Sequence, residues 1–321
     1  MKLNGIEFGN AFVGAGTLNF FGEGWPFHKY YKHIPGFSFN GATFVSKTTT
    51  IDKREGNMKL GSNLQPIKLF PDCIKTYFRK GLMLNAVGLS GPEANALFKE
   101  GKWQKRSTPF FISFMAVGPS KDYRLSEAKE FVRLLEIHLP SFGPAIGLEI
   151  NFSCPNTSHN TEKLIQEASE LLTVIRKTGL PISVKVNALI KPESVKKLID
   201  DGLCDAITVS NTIPYGQLPE LIDWEGLFGK ESPLKKYGGG GLSGYILLPI
   251  ITDWVKKARM AGIKIPIIAG GGIQKKEDVD VLINAGASAI SICSIAVLRP
   301  QRVQGIIDYA NHKIMEMNKC R

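Results

Sequence analysis

A parallel (β/α)8 barrel is the fold this 321-residue chain predicts, on three observations. Apolar, β-branched runs recur at Ala42–Ser46, Leu82–Val87, Pro109–Val117, Ile146–Ser153, Pro181–Val186, Ala206–Ser210, Ile265–Ala269 and Ala289–Ile295. Segments of helical periodicity separate most of them, at Ser126–Ile137, Thr161–Lys177, Pro192–Asp201, Leu247–Ala261, Glu277–Ala285 and Arg302–Met317. Glycines mark the joints between the two. Strands that alternate with helices lie parallel and are covered by them, which is why they read as continuous apolar runs. An open doubly wound sheet is the competing arrangement.

The punctuation follows the chain in order. Ser126 precedes an acidic turn and reads as a helix start, while Gly179, Gly202 and Gly286 each follow a helical segment as stops before the next strand. Two long connections interrupt the pattern: Thr49 to Tyr77, containing Arg54-Glu55-Gly56-Asn57, and Asn211 to Gly244, ending in Gly238-Gly239-Gly240-Gly241-Leu242-Ser243-Gly244. Loops of that length in a compact domain are usually functional, so both are expected over the barrel mouth, as lid and cofactor wall. No linker-like segment divides residues 1–321, which points to a single domain.

Composition narrows the function classes. With 43% apolar residues and 33 glycines the chain can bury a full core. It has no unbroken apolar window of membrane length and no basic-then-apolar leader, so a cytoplasmic protein without a membrane partner is expected. Five scattered cysteines without a CxxC pair signal neither a disulfide framework nor a metal or iron-sulfur site. The net charge of +11 lies on helical faces without interleaved aromatics, which argues against nucleic acid and suits an anionic small molecule.

The most informative run is Gly147-Leu148-Glu149-Ile150-Asn151-Phe152-Ser153-Cys154-Pro155-Asn156, an apolar strand ending in a cysteine between two asparagines. A barrel brings its strand C-termini to one pocket, so Lys47, Asn85, Asn151 with Cys154, Lys185, Asn211 and Gly270-Gly271-Gly272 should converge. Amides and ammonium groups are wrong for a strand interior unless a partner satisfies them, and a polar ligand can be that partner. Glycines after the seventh strand, with Cys293 and Ser294 after the eighth, let backbone amides approach a phosphate.

Together these segments resemble the dihydroorotate dehydrogenase family, flavin-dependent barrels of pyrimidine synthesis. The resemblance runs from Asn10-Ala11-Phe12-Val13-Gly14-Ala15-Gly16-Thr17 through Phe44-Val45-Ser46-Lys47-Thr48, Arg54-Glu55-Gly56-Asn57, Asn85-Ala86-Val87-Gly88-Leu89 and the Cys154 motif. It continues through Val184-Lys185-Val186, Asn211-Thr212, Gly240-Gly241-Leu242-Ser243-Gly244 and Ala269-Gly270-Gly271-Gly272-Ile273. It implies FMN across the C-terminal mouth of the barrel. Ala15, Gly16, Lys47, Asn151 and Lys185 would contact the flavin, and Gly244, Gly271, Gly272, Cys293 and Ser294 would take its phosphate end. Lys47, Asn85, Gly88, Leu89, Asn151, Asn156, Asn211 and Thr212 would grip the orotate ring.

The implied reaction oxidises dihydroorotate to orotate: Cys154 removes a proton from C5 while C6 gives a hydride to flavin N5. A free thiol has a pKa of about 8.5, so a nearby cation such as Lys47 would help form the thiolate. Asparagines suit a pyrimidine because each is both donor and acceptor. Cysteine as the base resembles the soluble class, in which a homodimer passes electrons to fumarate, or a separate iron-sulfur flavoprotein subunit passes them to NAD. Other readings are an FMN barrel acting on a different cyclic amide such as dihydrouracil, a non-catalytic flavin-binding subunit, and a barrel that binds a sugar phosphate. Three segments depart from the family pattern: the short Thr157-Ser158-His159-Asn160 loop, the aromatic stretch Phe20–His33, and Ser90-Gly91 after Leu89.

Overall fold

The computed structural model describes residues 1–152, 161–209 and 211–319. Its strands are β1 (Lys2–Leu3), β2 (Ile6–Glu7), β3 (Ala11–Val13), β4 (Thr43–Phe44), β5 (Ile74–Tyr77), β6 (Leu82–Asn85), β7 (Phe110–Phe114), β8 (Ile146–Asn151), β9 (Ile182–Val186), β10 (Ala206–Val209), β11 (Ile213–Pro214), β12 (Gly241–Gly244), β13 (Ile267–Gly270) and β14 (Ala289–Ile292). Eight of them form one parallel sheet in the order β4-β3-β14-β13-β10-β9-β8-β7. Parallel bridges from Val45 to Phe111 and from Thr49 to Phe114 join its two edges, so the sheet rolls into the (β/α)8 barrel that the sequence predicts.

One strand assignment is corrected. Leu82–Val87 does not enter the barrel: β6 pairs antiparallel with β5 and β12 in a separate four-stranded sheet, and β3 takes the barrel position instead. Both are short apolar runs, and an apolar run does not encode whether its neighbour runs parallel or antiparallel. The small sheet ties the two long connections to β6, since β5 closes the first while β11 and β12 lie in the second. The helix expected from Ser126 starts earlier, at Lys121, because Ser120 accepts a hydrogen bond from the Tyr123 amide and caps it.

Side-chain alternation explains what the barrel holds. Residues two apart on a strand share a face. One apolar cluster joins Phe12, Phe111, Ala206, Ile268 and Ala289 to Leu3 and Phe8 from the N-terminal hairpin and its exit, which closes that end of the barrel. Gly147 is a glycine because a Cβ there would come within 2.6 Å of the Phe111 ring. Two residues further along the same strands come Gly14, Glu149, Thr208, Gly270 and Ser291, which line a cavity. The opposite faces, with Ile112, Leu148, Val184, Ile207 and Ile290, pack into the main core beneath the helices. Phe114 stacks on Phe131 of the helix Lys121–His138 at 4.0 Å, one such contact. Among the described residues no helix is long and apolar enough to cross a membrane.

Candidate active site

The cavity opens at the C-terminal ends of the strands and encloses ≈ 1320 Å³, its mouth included. Of the residues expected there, Ala15, Gly16, Lys47, Asn85, Gly88, Leu89, Asn151, Lys185, Asn211, Thr212, Gly271, Gly272, Cys293 and Ser294 all line it. Gly244 does not: a Cβ on it would lie 2.3 Å from the Gly81 carbonyl, and its neighbour Ser243 faces the cavity instead. Cys154 and Asn156 lie outside the described residues.

The floor is a directed chain of hydrogen bonds. Asn211 Nδ2 donates to Asn151 Oδ1 at 3.3 Å, and Asn151 Nδ2 donates to Thr48 Oγ1 at 3.5 Å. Thr48 and Ser113 hydroxyls meet at 2.9 Å, and Ser113 donates to Glu149 Oε1 at 3.0 Å. Because Ser113 gives its one proton to the carboxylate, Thr48 must donate to Ser113. Lys185 Nζ reaches the same Glu149 oxygen at 3.4 Å. Strand register brings these groups together, since Ser113 pairs with Glu149 and Asn151 with Lys185 across neighbouring parallel strands. Glu149, only 3% exposed, is a member of the site that the sequence reading missed, although an acid inside an apolar run was the available signal.

Lys47 stands apart from that chain. It is 6% exposed, donates to the Ser90 carbonyl at 2.6 Å, and lies 4.8 Å above the Phe20 ring. Burial pushes its ammonium down to about 7, against smaller opposing effects of Glu23 and Cys73. The Ser90 backbone is itself pinned: Ser90 Oγ accepts from the Met58 amide and donates to the Val87 carbonyl. Between them Leu89 adopts φ 60, a left-handed conformation unusual for a branched side chain.

At the other end the wall is backbone. Gly271 and Gly272 have φ 126 and 87, and a Cβ on Gly272 would meet the Leu248 amide nitrogen at 2.5 Å. Among the described residues, no hydrogen bond outside the strand ladder engages the amides of Gly272, Cys293 or Ser294. Thr212 Oγ1 is likewise buried without a hydrogen-bond partner among the described residues. Unengaged donors beside glycines fit a phosphate, and a polar floor with two lysines fits an electron-rich heterocycle, so the residues present fit FMN. Cys293 is exposed at the cavity wall, and the protein around it raises its thiol. Among the described residues no cluster of His, Cys, Asp and Glu could hold a metal.

The aromatic stretch also reaches the site. Trp25 lines the cavity and donates its indole N–H to the Gly16 carbonyl at 2.8 Å. Behind it His28 is buried, and desolvation pushes its imidazole down to about 4, so it is neutral near pH 7.

Comparison with known proteins agrees with this geometry. The dihydroorotate dehydrogenase family pattern matches residues 1–313. The chain is 30% identical to the catalytic subunit of dihydroorotate dehydrogenase B (NAD(+)) of Methanopyrus kandleri, over 82% of this chain and 78% of that one. It is 28% identical to the Anoxybacillus flavithermus protein of the same description, over 96% and 88%. It is also 28% identical to a dihydroorotate dehydrogenase A (fumarate) of Lactobacillus delbrueckii subsp. bulgaricus, over 66% of each. The ligand-free DHODH structure from Eimeria tenella shares the fold, with a TM-score of 0.70 at 17% identity over 99% of this chain and 87% of that one. With the family pattern spanning nearly its whole length, the chain belongs to the dihydroorotate dehydrogenase family of CH–CH oxidoreductases.

Proposed function

We propose that this chain is an FMN-dependent dihydroorotate dehydrogenase that makes orotate for pyrimidine synthesis in the cytoplasm, as a single-domain protein of the soluble class. The observation that carries the reading is one cavity with two unlike ends: backbone amides and glycines at one, and Lys47, Lys185 and the Asn151–Asn211 floor at the other. Gly271, Gly272, Cys293 and Ser294 would hold the phosphate, and Ala15, Gly16 and Lys185 the ring. Bound there, FMN supplies a two-electron acceptor for a hydride.

The remaining chemistry falls to the chain. Asn85, Asn151, Asn211 and Thr212 orient the substrate ring, with Gly88 and Leu89 closing around it. Lys47 meets its carboxylate, because a buried amine that is easily neutral gains its charge when an anion arrives. Asn156 would add a contact from the loop that carries Cys154. As a thiolate, Cys154 takes the C5 proton while the C6 hydride leaves with its electron pair, so one C–H bond breaks at each carbon and a C=C bond forms. The lysine favours a carboxylate-bearing ring over dihydrouracil. For the electron acceptor, the relatives' names support fumarate or NAD reached through a partner subunit, and a homodimer is the proposed assembly.

The substitution Cys154→Ala tests the base. Flavin should stay bound, and its reduction by dihydroorotate should slow by at least about 100-fold, within the range of general-base catalysis. Unchanged reduction would remove Cys154 from the mechanism.

A further inference from the structure

The aromatic stretch Phe20–His33 departs from the family pattern, yet the fold turns it toward the cavity. Three hydrogen bonds describe how. The Trp25 indole N–H donates to the Gly16 carbonyl at 2.8 Å, the Thr17 amide donates to the Gly14 carbonyl at 3.1 Å, and the Trp25 amide donates to His28 Nδ1 at 3.2 Å. The first two fix both ends of the Gly16–Thr17 peptide. The preceding Ala15–Gly16 peptide, whose residues line the cavity, is engaged by no described residue. Gly16 has φ 89, the left-handed value that the third position of the turn closed by the Thr17–Gly14 bond takes, and the Trp25 contact adds a tertiary anchor to its carbonyl.

Trp25 is braced from behind. Its ring stacks on Phe27 at 5.8 Å and 27°, and His28 is boxed by Phe27 at 4.7 Å, Phe37 at 5.1 Å and Phe39 at 6.1 Å. Gly24 admits the tight turn before it, since a Cβ there would lie 2.5 Å from His28 Nδ1. An indole N–H can only donate, so the partner of Trp25 must be an acceptor, and the Gly16 carbonyl is held to one orientation.

We infer that Trp25 is a positioning residue for the flavin ring: it pins the Gly16 carbonyl, so that the Ala15–Gly16 peptide is presented to the cofactor in a fixed orientation. This rests on the FMN reading above. The aromatic stretch is then the brace of a cofactor wall, which gives a role to the segment that the family pattern leaves unexplained.

The test compares apoprotein reconstituted with FMN for the natural chain, Trp25→Phe and Trp103→Phe. Trp103 is a control of the same kind: its indole donates to the Phe20 carbonyl at 2.7 Å, but it does not line the cavity. Loss of one such bond corresponds to about five- to tenfold in affinity. Trp25→Phe should weaken FMN binding by that factor and move the visible band and midpoint potential of the bound flavin, with the KM for dihydroorotate changed less than about twofold. Trp103→Phe should lower the melting temperature and leave affinity, spectrum and potential in place. If Trp25→Phe does not fold, Trp25→Tyr, which keeps an aromatic wall and a hydroxyl donor at a different position, should bind FMN more weakly than the natural chain and shift its visible band. Natural protein that binds FMN, with a Trp25 variant of identical affinity, spectrum and potential, overturns the role of Trp25 alone. Natural protein that binds no FMN overturns this inference together with the reading beneath it.

Discussion

Two lysines face the same cavity from opposite surroundings. Lys185 sits in a polar floor, 3.4 Å from a buried carboxylate that also receives the Ser113 hydroxyl. Lys47 is as deeply buried, but it has a backbone carbonyl and the face of a phenylalanine for company, and its pKa drops to about 7. Burial is common to both, so the difference lies in the partner. A carboxylate supplied by the protein makes a standing ion pair; a carbonyl leaves an amine whose charge waits for a ligand. The first suits a group that stabilises negative charge on a resident cofactor, the second a group that meets a transient anion.

Several measurements would break or sharpen that contrast. The largest effect is expected from Lys47→Met, which keeps the bulk and removes the charge: flavin reduction by dihydroorotate should slow by about 100-fold or more in stopped flow, as for loss of a charge-stabilising donor. Equal rates would show that Lys47 is only packing. Next, Glu149→Gln removes the carboxylate that pairs with Lys185, which costs about 3 kcal/mol for a buried pair and should appear in urea unfolding. No loss of stability would mean that the pair is not formed in solution.

A smaller effect is expected in the pH dependence of ligand binding. In the free protein Lys47 loses its proton as pH rises through about 7, well below the ordinary lysine value. A bound carboxylate favours the charged form, so binding is coupled to proton uptake above that pH. Orotate affinity should therefore be greatest below pH 7 and fall by up to about tenfold per unit above it, while Lys47→Met shows no such slope. The smallest effect concerns what holds Lys47. Ser90→Ala removes two hydroxyl hydrogen bonds, to the Met58 amide and the Val87 carbonyl, and should cost about 1–2 kcal/mol of stability with a modest loss of orotate affinity.

The residues that were legible in the sequence were those that contradicted their local setting. Asn151, Lys185 and Asn211 stand where a strand would otherwise continue apolar, and Gly271-Gly272 after an apolar run leaves few readings besides a tight approach of backbone. Most barrel strands were legible for the same reason, since parallel strands buried on both faces have few polar interruptions. What escaped depended on pairing. Ala11–Val13 is a three-residue strand, too short to stand out, and Leu82–Asn85 took its place because direction is not written into an apolar run. Glu149 gained its meaning only when register set it beside Lys185 and Ser113. Trp25 reaches Gly16 across a turn whose shape is set by Gly24 and the His28 ring, a tertiary contact with no periodicity to betray it. Ser243 lines the cavity where the sequence reading named its neighbour Gly244, since residues one apart on a strand face opposite sides.

The most direct test of the account is an anaerobic visible titration of the FMN-reconstituted protein with dihydroorotate, with dihydrouracil as the comparison. The account predicts that the flavin band bleaches with dihydroorotate and persists with dihydrouracil. A bound flavin that dihydroorotate leaves oxidised would contradict it.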